Sequence, residues 1–306
     1  MRRLREQVAD YLRLRRSLGY KLIEHERFLS QFLDYLDQKQ ATTITAENAL
    51  AWAKLPVEAN PRWHGARLSA VRGFAAWAQA SDPNIQVPPT GMLPMGPTRA
   101  TPYLYSDAQV CALMNAAAGL VPAMKGATFQ TLIGLLAVTG MRAGEAIRAD
   151  VADLDLDAGT LTVVGTKFGK TRLLPLHPSV VAELRAYLTL RSAQAGTTAL
   201  LVSVAGTRLT YDNTHRVFKK LTAQAGITPR STACRPRMHD LRHSFAVNTL
   251  LDAYRSGGDV DERLPLLSTY LGHTEPANTY WYLHAAPELL ALAADRLNTR
   301  DAKDWR

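Results

Sequence analysis

Apolar residues at helical spacing open the chain. Leu4, Val8, Leu12 and Leu18 fall near one face, and Gly19 is placed to end that helix. Phe28, Leu29, Phe32, Leu33 and Leu36 form a second stripe. Thr45 is a plausible N-cap for a short third helix, with TAEN leading into ALAWAKL. Leu68, Val71, Phe74 and Ala75 mark a fourth helix before Ser81. Four amphipathic helices in such a length can close a small bundle, and residues 1–82 are read as that unit.

The periodicity then stops. Pro83, Pro88, Pro89, Pro94, Pro97 and Pro102 crowd residues 83–104, a density that blocks helix and ladder bonding, so the stretch reads as an extended linker. Periodic order returns in residues 105–306. Helices are expected at Ser106–Ala118 and Thr128–Val138. After Arg148 come short alternating pieces, VADLDL and GTLTVVGTKFGKTRLLPL, with Gly159 and Gly169 at turn positions: a small antiparallel sheet. Further helices are expected at Pro178–Ser192, Thr210–Ala225, Met238–Leu251, Glu262–Leu271, Pro276–Tyr282 and Pro287–Leu297. The predicted fold is mainly α with a small antiparallel β-sheet: a helical bundle followed by an α+β domain.

Composition narrows the function. The chain has 306 residues, enough for two domains with real cores, and 47% of them are apolar against 21% charged. Cys111 and Cys234 are its only cysteines, which excludes a disulfide framework and a cysteine-rich zinc module. The opening MRRLREQVADYL is basic with no apolar core behind it, so no signal peptide is expected, and the run Leu132–Val138 is too short to span a bilayer. Net charge is +9 and uneven: from Ala205 to His243 eight Lys and Arg stand against Asp212 and Asp240. Such a field attracts a polyanion, and nucleic acid is the foremost candidate. Arg208, Arg216, Lys219, Lys220, Arg235 and Arg237 are the candidate contacts to such a polyanion.

The densest chemistry lies in HDLRHSFA, His239 to Ala246. His239 and His243 have the spacing of two zinc ligands on a helix. A hydrolytic site of that type wants Glu after the first His, whereas this chain has Asp240, and Arg242 would set a fixed cation beside a dication. No metal is assigned. His239 and Arg242 share a helix face, and arginine offers a planar fork to two phosphate oxygens. Arg142 in TGMRAGEAIRAD sits where one helix ends at Gly140 and the next begins near Ala143, a setting that favours an anion. Glu145 can brace Arg142 or cap the helix. Lys167 and Lys170 flank a tight hairpin turn, and LGHTEPANTYWYLH carries His273, Tyr280 and Tyr282. Singly, each of these has an ordinary structural explanation.

Taken in order, TGMRAGE, a hairpin lysine, HDLRHSFA, LGHTEP and a tyrosine nine residues past that His resemble the tyrosine recombinase (phage integrase) family, whose members include the Xer recombinases and transposon-borne enzymes. The resemblance covers about Tyr105 to Leu297, and YLRLRRSLGYK and RLSAVRGFAAWA look like the family's core-binding domain. It implies a catalytic set of Arg142, Lys167, His239, Arg242, His273 and the nucleophile Tyr282, supported by Glu145. The family's commonest hairpin reads Gly-Lys-Gly-x-Lys; here Thr166 is an extra residue before Lys167, so Lys170 stands as the alternate.

The implied activity is site-specific DNA recombination, of integrase or transposase type, through a 3′-phosphotyrosyl intermediate, with no cofactor. The implied partners are double-stranded DNA, a tetramer of this chain in the synapse, and related recombinases. No membrane is involved, and the implied place is the cytoplasm, at the nucleoid. A DNA-binding accessory member without cleavage and a type IB topoisomerase-like activity are the alternatives. The tail PELLALAADRLNTR, with Leu289, Leu290, Leu292 and Leu297 on one face, docks either on a neighbour or on its own domain.

Overall fold

Local signals start several of the helices. The computed structural model describes residues 2–93, 101–164, 171–192, 195–256, 260–272, 279–280, 288–289 and 291. The chain divides into two units, Met1–Arg99 and Ala100–Arg306. In the first, α1 (Arg2–Ser17), α2 (Ile23–Gln38), α3 (Ala46–Ala53) and α4 (Pro61–Ala78) form the bundle. The Thr45 side chain accepts from Asn48 N–H, and Asn60 does the same for Arg62 with Pro61 at the first helical position. Leu4, Val8 and Leu12 are buried as the spacing predicts, but Leu18 is 62% exposed. The helix ends at Ser17 and Gly19 turns the chain at φ +88°, so Leu18 lies past the last turn that could face the core.

The proline-rich stretch is not all free connection. Ile85 is fully buried in the first core, and Arg72 donates to the carbonyls of Pro88 (2.8 Å) and Pro89 (2.9 Å). Tyr103 and Tyr105 are buried in the second core. Proline forbids ladder bonding by its own nitrogen but leaves its carbonyl and its neighbours' apolar side chains available for packing.

The second unit is built around α6 (Ala123–Thr139), flanked by α5 (Asp107–Ala118), α8 (Pro178–Ser192) and α10 (Asp240–Arg255). Met124, Phe129, Leu132, Ile133, Leu135 and Leu136 of α6 are all buried; a helix apolar on most sides belongs inside. Ser106 caps α5 with a reciprocal capping box to Gln109. The remaining helices are α7 (Ala143–Arg148), α9 (Tyr211–Gln224) and α11 (Val260–Leu271). β1 (Leu154–Asp155), β2 (Thr160–Val163) and β3 (Arg172–Pro175) form an antiparallel sheet in that order, with Val163 opposite Arg172. The fold is mainly α with a small antiparallel sheet.

VADLDL is less of a strand than its alternation suggests. Asp153 accepts from Asp150 N–H, closing a 3-10 turn over Val151–Asp153, and Asp155 accepts from the N–H groups of Asp157 and Ala158. Aspartate carboxylates that bond nearby backbone compete with the ladder. Leu289 is buried in a cluster with Leu250, Leu264, Leu267 and Leu271, so the start of the tail packs on its own unit. Lys167, Lys170, His273 and Tyr282 lie outside the described residues, as do Leu290, Leu292 and Leu297 of the tail. Among the described residues, no helix is long and apolar enough to cross a membrane.

Candidate functional site

The site begins where α6 stops. Gly140 adopts φ +60°, and a Cβ there would stand 2.4 Å from the Phe245 ring of α10, so only glycine lets α10 pack against this turn. Two residues on, Arg142 is the N-cap of α7. Glu145, three residues further, accepts from Arg142 N–H (2.9 Å) and from its Nη1 (2.7 Å), so one carboxylate both caps the helix and orients the guanidinium.

Arg242 projects from α10 and is 2% exposed. Its Nη1 donates to Gly140 O (2.9 Å) and its Nη2 to Leu271 O (2.7 Å). One fork thus joins the end of α6 to the end of α11. Arg142 Nη2 stands 3.5 Å from the carbonyl of the next residue, Gly272. The two arginines that the sequence singles out are therefore brought together on the same pair of chain turns, from positions 100 residues apart.

His239 occupies the N-cap position of α10. Its ring meets His243 edge to face, with centroids 4.9 Å apart. The residue is exposed, yet desolvation by the surrounding protein, then the charges of Arg242, Arg237 and Arg142, lower its pKa to about 4. The imidazole is neutral at pH 7, and the same surroundings weaken its hold on an added proton. Asp240, which stands in the HDLRH pair where a zinc hydrolase would carry Glu, is fully buried and held bidentately by Arg237 at 2.9 and 2.7 Å. Burial keeps the Asp240 carboxyl above its ordinary pKa against that pull.

One residue of the site was not foreseen. Arg172, at the start of β3, donates from Nη2 to Glu145 Oε2 (2.7 Å) and from Nη1 to Oε1 (3.2 Å). Two guanidinium groups, those of Arg142 and Arg172, thus hold a single carboxylate. Burial alone would raise the pKa of Glu145, but bonds from Arg172 and from Arg142 overcome it and hold the carboxyl at about 2. The only sequence signal for Arg172 is a charged residue opening a strand beside the hairpin lysines.

The depressed pKa of Glu145 makes a stability prediction. Its contribution is present above the ordinary carboxylate value of 4.5 and is lost as pH falls from there through about 2. Glu145→Gln should therefore cost about 3 kcal/mol at pH 7, because it strips a buried carboxylate from two cations. Denaturant unfolding of both proteins checks this; a stability gap that stays constant from pH 7 down to pH 2 contradicts the ionic assignment.

The candidate DNA contacts divide into two groups. Arg216, Lys219, Lys220 and Arg235 are exposed; the first three lie on the outer face of α9. Arg208 instead donates to the carbonyls of Ile147 (3.0 Å), Arg148 (2.7 Å) and Ala149 (3.2 Å) and pairs with Asp150 (2.6 Å). It satisfies the carbonyl end of α7, and Arg237 is engaged with Asp240.

Known proteins resemble this chain in sequence and fold. The sequence pattern of the phage integrase family matches residues 104–288. The Sinorhizobium fredii protein y4rB, which bears the name integrase/recombinase, is 44% identical over 309 residues, covering 98% of each chain. The tyrosine recombinase XerD of Mycobacterium tuberculosis is 31% identical over 240 residues, 75% of this chain and 73% of its own. Among solved structures, the Tn1549 transposon integrase in complex with a circular intermediate DNA aligns at TM-score 0.66 over 96% of this chain and 99% of that one. A lambda integrase dimer bound to a core site aligns at 0.62 over 89% and 95%. Identities of 16% and 19% make these likenesses of fold alone. With the family pattern over most of the second unit and a 44% relative along the whole chain, this protein belongs to the phage integrase family, the tyrosine site-specific recombinases.

Proposed function

We propose that this recombinase cuts and rejoins duplex DNA through a 3′-phosphotyrosyl intermediate on Tyr282. The supporting observation is the pairing of Arg142 and Arg242 on the adjacent carbonyls of Leu271 and Gly272, with neutral His239 beside them. The Tyr282 phenol oxygen attacks the scissile phosphorus and its proton passes to a base, for which His239 is the candidate. The bond from phosphorus to the 5′ oxygen breaks, and that oxygen takes a proton from Lys167, with Lys170 as the alternate. A partner strand's 5′-hydroxyl reverses the sequence, so bond energy is conserved and no nucleotide is consumed. Arg142 and Arg242 neutralise charge growing on the non-bridging oxygens, and His273 hydrogen-bonds the phosphate.

Residues 1–82 and the second unit would both meet DNA, through a connection within 83–104. Four copies on two sites carry out the exchange, with related recombinases as further partners. Since Leu289 lies in its own unit's core, a neighbour would be met by the tail beyond it, including Leu292 and Leu297. Such an enzyme works in the cytoplasm, at the nucleoid, on DNA of a mobile element.

The test is a suicide substrate carrying the target site, resolved on a denaturing gel; a covalent protein–DNA adduct is the expected result. Binding without any adduct would make the chain an accessory DNA-binding member. Relaxation of supercoils by single copies, with no strand exchange, would favour topoisomerase chemistry. DNA affinity should also fall steeply with salt. Replacing Lys219 and Lys220 by Ala should lower the slope of log K against log salt by about 0.9 for each phosphate no longer neutralised. An unchanged slope removes the outer face of α9 from the interface.

A further inference from the structure

Glu145 has two unlike partners. Arg142 is three residues away, so its bonds to Glu145 close within one turn. Arg172 is 27 residues away and arrives from another element, with Nη2 at 2.7 Å and Nη1 at 3.2 Å from the carboxylate. Its side chain is 12% exposed and that of Glu145 is 3% exposed. On the far side the end of α11 closes in: Gly272 adopts φ +69°, and a Cβ there would stand 3.0 Å from Arg172 Nη1. Arg172 pairs with Val163 across the ladder, at the end of the paired register of β2 and β3.

That placement matters because Lys170 is two residues and Lys167 five residues from Arg172 in sequence. A residue spans at most about 3.3–3.6 Å of chain, so the place where Arg172 is held bounds the reach of both lysines, to about 7 Å of chain for Lys170 and about 18 Å for Lys167. We infer that Arg172 is a positioning residue: by binding Glu145 it fixes the end of the β2–β3 hairpin against Arg142, and so sets where the hairpin lysine meets the leaving oxygen. This rests on the proposed reading that a hairpin lysine is the general acid. Arg142 does not depend on Arg172 in the same way, since both of its bonds to Glu145 are local. Removing Arg172 should therefore weaken proton donation more than charge neutralisation.

Single-turnover cleavage at saturating DNA separates the two effects. One suicide substrate carries the normal 5′ oxygen at the scissile bond, and a second carries sulfur there. In the first, the P–O bond breaks and oxygen takes a proton from lysine. In the second, the P–S bond breaks and sulfur leaves as a thiolate, which needs no proton at neutral pH. Arg172→Ala should slow the oxygen substrate by about 10²-fold, within the range general acids contribute, and leave the sulfur substrate near the wild-type rate. Arg142→Ala should slow both. Arg172→Lys keeps one charge-assisted bond, gives a smaller version of the same split, and carries the test if the alanine variant does not fold.

Equal slowing of both substrates by the Arg172 variants, or no slowing of either, overturns the inference. Lys167→Ala and Lys170→Ala run alongside. If sulfur rescues neither lysine variant, the general-acid reading itself fails and the inference with it. If it rescues one of them but not the Arg172 variants, only the role of Arg172 is wrong.

Discussion

Tyr282→Phe should abolish the covalent protein–DNA adduct while leaving DNA binding intact. Phenylalanine keeps the ring and removes the oxygen that would become bonded to phosphorus. The loss should be at least about 10⁴–10⁶ in rate, the scale seen when a covalent catalyst loses its attacking atom. A gel shift at equal protein concentration measures binding. A suicide substrate whose released strand diffuses away measures the adduct. Tyr280 provides the control: it is 52% exposed and two residues away, and Tyr280→Phe should form adduct at the normal rate. The opposite result, loss with Tyr280→Phe and retention with Tyr282→Phe, moves the nucleophile. An adduct that requires added zinc and disappears with a chelator overturns the scheme.

Arg242→Lys should slow cleavage by about 10²–10³ and lower the melting temperature as well. The catalytic part comes from removing a fixed donor pair beside the developing charge, worth roughly 3–4 kcal/mol. The structural part comes from geometry. Arg242 is 2% exposed and its fork spans Gly140 O and Leu271 O at 2.9 and 2.7 Å. A lysine ammonium is one point charge and cannot hold both carbonyls in a planar fork. Arg242→Ala should be worse, because each buried carbonyl left unpaired costs about 1–3 kcal/mol. Single-turnover rates at saturating DNA, taken well below the melting temperature, separate the two parts. Cleavage by Arg242→Lys at the wild-type rate would remove Arg242 from the phosphate site.

Much of this site could be read from short spacings. Gly140 marks the end of α6, Arg142 and Glu145 come next at three-residue spacing, and His239 precedes Arg242 by the same interval. Capping and helical phase act over one turn, so they leave a signature within one turn. The candidate DNA contacts were less legible. Arg208 and Lys219 look alike as basic residues in a basic stretch, yet one caps α7 and the other faces outward. Charge counting cannot distinguish them, because the carbonyls that recruit Arg208 come from residues about 60 positions earlier.

The proline-rich stretch shows the same limit from the other side. Its composition predicts that helix and ladder will fail there, and among residues 83–93 neither forms. Composition does not predict that Ile85 fills the first core or that Arg72 collects the carbonyls of Pro88 and Pro89.

Periodicity, caps and the order of motifs were enough to give a mainly helical chain, a small sheet after Arg148 and the family to which the chain belongs. They act through neighbours in sequence, where geometry is set by one turn or one strand. Packing alone brought Arg172 to Glu145, stretched Arg242 between two helix ends and added Arg142 to the cations near His239. The bonds of those two arginines join residues 27 to 102 positions apart, and their strength comes from burial that no linear spacing encodes.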